Sequence, residues 1–454
     1  MFLRRPCFLW NRTSKIKESL GRSLTRSMAG APVQFEGAER IRGLEKSVWV
    51  EFAGMAQAHG AVNIGQGFPD FPPPEYIMKA LATATYGPNH MLNQYTRSFG
   101  HPRLVNALAR MYSLLLNHEI NPLTEVLITV GAYQALFYAV FGLLNHGDEA
   151  IIIEPYYDCY EPQVRMAHGV PKFVSLRLQP VSGRLPTSAD LQLDFDELDR
   201  AFSPKTKILF LNNPNNPAGK VFTKEELEKI AALAKKHNVV VIADEVYEWL
   251  VYEGGPKMIR FASLPDMWDR TITIGSAGKT FSVTGWKTGW AIGPAHLMKH
   301  LQAVHQNCIY TCSTTLQEAI AVGLELETGR LGTPECYFEE LSKLLQPKRE
   351  RMMKFLTEAG MKPIVPDGGY FVLADYSALN FPDDKSGDQS EPKDYRFVRW
   401  LCKEKKLGGI PPTAFYSHPH KKLAENYIRF CFFKKDETLE QAEKIIKEWH
   451  PLAK

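Results

Sequence analysis

Five short runs of apolar, largely β-branched residues punctuate the middle of the chain. They are Val126-Leu-Ile-Thr-Val130, Glu149-Ala-Ile-Ile-Ile153, Lys207-Ile-Leu-Phe-Leu211, Val239-Val-Val-Ile-Ala243 and Thr271-Ile-Thr-Ile274. Helical stretches such as Lys224 to His237 separate them. Strands this apolar must be covered on both faces, and alternation with helices predicts a mostly parallel sheet sheathed by helices, an α/β fold. Sheets of that kind carry their sites at the carboxyl ends of the strands, so the residues just after each run are the first candidates.

Four of the five runs are followed by unusual residues. After Val130 comes Gly131-Ala132-Tyr133-Gln134, a small-residue turn opening a helix, where unpaired N–H groups and the helix dipole suit a phosphate. After Leu211 comes Asn212-Asn-Pro-Asn-Asn216-Pro-Ala-Gly219, after Ala243 comes Asp244-Glu-Val-Tyr247, and after Ile274 comes Ser276-Ala-Gly-Lys279, with Lys287 eight residues on. Any one of these has an ordinary explanation as a turn, a helix cap or a solvated lysine. Four at successive strand ends define a site.

The Gly278-Lys279-Thr280 triplet is not a nucleotide-binding loop. That loop needs a glycine five residues before Gly278, and Thr273 stands there. A lysine, an acid, a phenol, an amide and a phosphate cradle together match the needs of pyridoxal phosphate instead. The lysine attaches the cofactor, the acid keeps the pyridine nitrogen protonated, and donors hold the ring oxygen.

At these residues the chain resembles the fold-type I, class I aminotransferases, and within them the kynurenine aminotransferase family, which includes cysteine-S-conjugate β-lyases and glutamine transaminase K. The shared phrases run from about Ala38 to the end. They include Val62-Asn-Ile-Gly-Gln-Gly-Phe-Pro-Asp70, Asn93-Gln-Tyr-Thr96, Glu154-Pro-Tyr-Tyr-Asp-Cys-Tyr-Glu-Pro162, Asn212–Lys220, Asp244–Leu250, Gly275–Trp290, Pro366–Phe371 and Ile428-Arg-Phe-Cys431.

The resemblance implies a pyridoxal 5′-phosphate enzyme that exchanges amino groups between amino acids and 2-oxo acids. Lys279 would bind the cofactor and move the proton between the substrate α-carbon and C4′. Asp244 would pair with the ring nitrogen, and Asn216 and Tyr247 with the phenolic oxygen. Ala132, Tyr133, Ser276 and Lys287 would cradle the phosphate, joined by Tyr95 of a neighbouring subunit, while Tyr157 would stack on the ring. Arg429 would grip the substrate α-carboxylate, a bidentate task that suits a guanidinium. Gly67 and Trp49 would line the pocket, and Tyr310 would enter from the partner of a homodimer with shared sites.

The same resemblance implies a large cofactor domain at 71–320, built on a mostly parallel seven-stranded sheet, and a smaller α+β domain. Residues 28–70 would form an arm and part of the small domain, and 321–454 the rest of it, with an exposed loop at Asn380–Lys393. Kynurenine, glutamine, aromatic and sulfur amino acids are the expected donors, with β-elimination from cysteine S-conjugates as a side activity. The alternatives are another enzyme of the same fold, such as an aspartate-type aminotransferase or a cyclopropane-forming synthase, and a non-catalytic regulator; the last expects a DNA-binding module and tolerates loss of Lys279 or Arg429, and neither condition is met.

Charge and cysteine usage narrow the setting. The chain carries a formal net charge of +4, yet residues 1–27 alone hold Arg4, Arg5, Arg12, Lys15, Lys17, Arg22 and Arg26 against Glu18, so the remainder is mildly acidic and not a nucleic-acid binder by charge. That leader, Arg-rich and acid-poor with Ile16, Leu20 and Leu24 on one helical face, resembles a mitochondrial transit peptide, implying matrix import. A basic tail without an import role is the alternative, and Met28 offers a start for a cytosolic form. No apolar run has the length to cross a bilayer. The seven cysteines are scattered without C-x-x-C pairs, which indicates neither a disulfide framework nor a metal site.

Overall fold

The computed structural model describes residues 36–383 and 391–449. The leader 1–27, Met28 and the centre of the loop expected at Asn380–Lys393 lie outside the described residues; a helix already begins at Lys393.

A seven-stranded sheet forms the centre. Its strands are β1 (Val126–Val130), β2 (Glu149–Glu154), β3 (Val170–Ser175), β4 (Thr206–Asn212), β5 (Val240–Asp244), β6 (Thr271–Ser276) and β7 (Thr288–Ile292), in spatial order β1-β7-β6-β5-β4-β2-β3. All neighbours are parallel except those of β7, which runs antiparallel between β1 and β6. The registers matter more than the order. Asn212 pairs with Asp244, Asp244 with Ile274, Ser276 with Gly289, and Val130 with Thr288. The carboxyl ends of β4, β5, β6 and β1 are therefore level, and four segments distant in sequence open at one edge.

The strands extend past the apolar runs that announce them. Asn212, Asp244, Glu154 and Ser276 are final strand residues and not first loop residues, because backbone pairing continues one or two positions beyond the last apolar side chain. Val239, expected inside β5, precedes it.

Local sequence explains the helices that cover the sheet. The helix Lys224–Lys236 starts at a reciprocal cap, in which Thr223 Oγ1 accepts from Glu226 N (3.2 Å) and Glu226 Oε2 accepts from Thr223 N (2.8 Å). Such a cap contributes about 1 kcal/mol. Glu225 and Glu226 at its start and Lys235 and Lys236 at its end complement the helix dipole. Its buried stripe of Leu227, Ile230, Ala231 and Ala234 packs with Leu209, Leu211, Val241 and Ala243 of the sheet.

A second, antiparallel sheet joins β8 (Lys362–Ile364), β9 (Phe371–Asp375) and β10 (Tyr427–Cys431), flanked by helices Tyr337–Glu358, Lys393–Glu404 and Asp436–Trp449. Its core includes Phe52 and Ile64 from the amino-terminal side, and Val62–Asn63 pairs in parallel with Leu407–Gly408. This packing carries Trp49, on the helix Val48–His59, and Gly67 toward Arg429 on β10. Among the described residues no helix is long and apolar enough to cross a membrane.

Candidate active site

Twelve of the fourteen expected site residues line one cavity of about 310 Å³: Trp49, Gly67, Ala132, Tyr133, Tyr157, Asn216, Asp244, Tyr247, Ser276, Lys279, Lys287 and Arg429. The other two, Tyr95 and Tyr310, lie outside it. They are 82% and 53% exposed, and their rings meet edge to face at 5.7 Å.

At one end the helix Gly131–Leu143 begins without a side-chain cap, leaving its first backbone N–H groups for an anion. Two glycines permit the close approach there. Gly131 has φ +72°, and a Cβ on it would meet Lys287 Nζ at 3.3 Å; a Cβ on Gly289 would stand 2.5 Å from Ala132 N. Ser276, buried at the end of β6, and the exposed Lys287 complete a cationic cradle.

Asp244 is buried at the end of β5. Tyr160 Oη donates to its Oδ2 at 2.5 Å, and Val246 N reaches Oδ1 at 3.4 Å. Burial pushes its pKa up to about 6, against the Tyr160 and Val246 hydrogen bonds and the Lys279 charge, all of which favour the carboxylate. A buried carboxylate in that state calls for a cation opposite it, which a protonated pyridine nitrogen supplies. Lys279 stands in the one-turn helix Ala277–Thr280, where its Nζ donates to Tyr370 Oη (2.6 Å) and faces Gly67 O (3.4 Å). Burial, with Arg429 and Lys287 as nearby cations, lowers its pKa to about 8, which leaves a usable fraction of free amine near neutrality. The cradle, the acid and the lysine together fit pyridoxal phosphate.

At the other end Arg429 is fully buried on β10. Its Nη1 donates to Asn216 Oδ1 (3.0 Å) and its Nη2 to Gly65 O (2.9 Å), while Nε has no hydrogen-bond partner among the described residues. Phe371, Trp49 and Phe415 surround it, their ring centres 3.9, 5.0 and 5.0 Å from Cζ. Burial lowers its pKa to about 10, against the nearby Tyr247 and Asp158 groups, so it stays cationic at neutral pH. Because Asn216 spends its oxygen on Arg429, its NH₂ remains to donate into the cavity.

Several contributors escape sequence reasoning. Tyr160 braces Asp244, Tyr370 holds Lys279, and Asp158 accepts from Trp49 Nε1 (2.7 Å), fixing the indole beside Arg429. Phe371 and Phe415 complete the aromatic box. Tyr156, Tyr157 and Tyr160 stand close together in the chain, and nothing in their spacing tells which phenol reaches an acid on another strand.

Residues 60–446 match the family described as aminotransferase class I and II. The chain is 51% identical to kynurenine–oxoglutarate transaminase 3 of Homo sapiens, covering 99% of both chains. It is 50% identical to kynurenine–oxoglutarate transaminase 1 of the same species, over 91% of this chain and 98% of that protein. Among solved structures it superposes on Bna3p of Saccharomyces cerevisiae with a TM-score of 0.83 at 34% identity, covering 90% of this chain and 97% of the other.

Proposed function

The chain belongs to the class I and II aminotransferases, and on that premise we propose that it transfers the amino group of kynurenine, glutamine, aromatic and sulfur amino acids to 2-oxo acids, with β-elimination from cysteine S-conjugates as a side activity. Enzymes of this family use pyridoxal 5′-phosphate, which when bound supplies the electron sink for cleavage at the substrate α-carbon. The residues here divide the remaining work. The Gly131–Leu143 amino terminus, Ser276 and Lys287 bind the phosphate. Asp244, oriented by Tyr160, holds a proton on the ring nitrogen. Asn216 and Tyr247 hold the ring oxygen, and Arg429 orients the substrate through its α-carboxylate. Lys279 would attach the cofactor, and its amine would carry the proton taken from the substrate α-carbon.

One observation carries the substrate reading. The cations lining the cavity are Lys279, Lys287 and Arg429, and each already has an assignment. Much of the remaining lining is aromatic, with Trp49, Phe68, Tyr157 and Phe371 beside the uncharged Gln66, Asn212 and Thr284. A second carboxylate would lose hydration there without gaining a partner, whereas flat, apolar or amide side chains fit. With one common 2-oxo acid, kcat/KM for kynurenine, phenylalanine, methionine and glutamine is expected to exceed that for aspartate by about 10²-fold or more. Aspartate outperforming all four would overturn the substrate reading and leave the cofactor chemistry standing.

Two further proposals concern setting. A homodimer with shared sites is supported by the resemblance and by the exposed Tyr95–Tyr310 pair, held in place by Ser98 Oγ on Tyr310 O (2.5 Å) and Thr314 Oγ1 on Gln94 O (2.6 Å). Braced aromatic groups that face solvent suit a subunit contact. Mitochondrial import rests on the basic leader alone. Residues 1–40 fused to a fluorescent reporter are expected to direct it to mitochondria and to be cut near Met28; a diffuse cytosolic signal with an intact amino terminus would refute import.

A further inference from the structure

We propose that Tyr370 is a positioning residue: its hydroxyl receives the Lys279 amine whenever that amine is free, and so fixes where the proton-carrying group waits. The inference rests on the aminotransferase reading above.

The geometry assigns each hydrogen. Tyr370 is fully buried, and its Oη donates to Gly67 O at 2.9 Å. Gly67 O and the Tyr247 hydroxyl are both in reach of its one proton, so Oη meets Lys279 Nζ, 2.6 Å away, as an acceptor. Gly67 O, 3.4 Å from the same nitrogen, is a second and longer acceptor. The amine is therefore gripped through its N–H groups.

The phenol is itself closely packed. Its ring packs edge-on against Tyr247 (5.1 Å between centres) and beside Phe433 (5.0 Å) and Phe371 (4.7 Å). It sits in the Gly368-Gly369-Tyr370-Phe371 turn that also delivers Phe371 to Arg429. Burial drives the Tyr370 hydroxyl well above its ordinary pKa, so it stays a neutral phenol at working pH and is not itself the base. Its action is on the lysine. A free Lys279 amine sits at the end of a four-carbon side chain, and without an acceptor it would sample rotamers in which the nitrogen misses the α-proton. An acceptor at a fixed point restricts that search. It also favours the ammonium form, which must exist after the proton is taken.

Tyr370→Phe removes one oxygen and keeps the ring packing, so it separates the contact from the fold. The first measurement uses the full chain stripped of cofactor, with Lys279 acylation by acetic anhydride followed by peptide mass spectrometry across pH. Without the acceptor the ammonium is less favoured and the amine titrates at lower pH. Acylation at pH 7 is thus expected to be about tenfold faster in the variant. The second measurement uses the loaded enzyme, where kcat is expected to fall about tenfold with KM within twofold. Both must move. An unchanged pH profile of Lys279 would overturn the contact, and an unchanged kcat would overturn its positioning role. The wild-type protein separates this from the parent reading: if it transfers no amino group, the aminotransferase reading falls, while the acylation profiles still decide whether Tyr370 holds Lys279.

Discussion

Lys279→Ala is expected to abolish amino-group transfer while leaving the protein folded and able to hold cofactor non-covalently. The loss stems from the absence, among the described residues lining the cavity, of another side chain placed to do both tasks. Lys279 is the cavity cation beside Asp244 and Tyr247, whereas Lys287 lies at the phosphate end against Gly131. A positioned proton carrier supplies up to about 10⁴-fold, and losing covalent attachment adds to that, so kcat is expected to drop by at least that factor. The fold should tolerate the change, because Tyr370 and Gly67 keep their own 2.9 Å hydrogen bond when the amine is gone. Retained cofactor is the other half of the expectation: the Gly131 helix terminus, Ser276, Lys287 and Asp244 are untouched. Steady-state assays with phenylalanine and absorbance of the bound cofactor after gel filtration check both halves. Activity within tenfold of wild type would contradict the assignment.

Asp244→Asn is expected to bind cofactor and stall at removal of the α-proton, by about 10³-fold. Asparagine keeps the shape, and its side-chain oxygen can still accept from Tyr160, so the effect isolates charge. In the native site burial alone disfavours the carboxylate, which a ring-nitrogen proton compensates. A neutral amide holds no such proton, and the electron sink weakens. Single-turnover loss of the α-proton is the proper readout, since steady-state rates mix in product release. Near-normal single-turnover rates would make Asp244 a structural residue.

These residues are legible in the sequence for a definite reason. Val126–Val130, Lys207–Leu211, Val239–Ala243 and Thr271–Ile274 announce strands by apolar content, and a parallel sheet brings the residues beyond each strand to one edge. The position of β7 strengthens this: running antiparallel, it pairs Thr288 with Val130 and Gly289 with Ser276, and levels the phosphate cradle with the other strand ends. Arg429 and Trp49 carry no such signal. They lie on β10 and on the helix Val48–His59, and only the resemblance of the surrounding phrases marks them.

Tyr160, Tyr370, Asp158 and Phe415 are not legible at all. Tyr160, Tyr370 and Asp158 bond to Asp244, Lys279 and Trp49, which lie 84, 91 and 109 positions away in the chain, and Phe415 meets Arg429 from a different element. Local spacing says nothing about such pairs. The strand ends are misplaced by a residue or two for a related reason, since Asn212 and Asp244 are polar by composition but remain paired with each other in the sheet. Apolar patterning reports burial of side chains and is blind to backbone pairing.

The central claim is that this cavity carries pyridoxal phosphate on Lys279. Borohydride reduction of the purified, yellow protein, with proteolysis and peptide mapping afterwards, tests it without reference to any substrate. A single pyridoxyl group on the peptide containing Lys279 is the expected result. Labelling of Lys287 in its place, or a protein that carries no reducible cofactor after reconstitution, would contradict the claim.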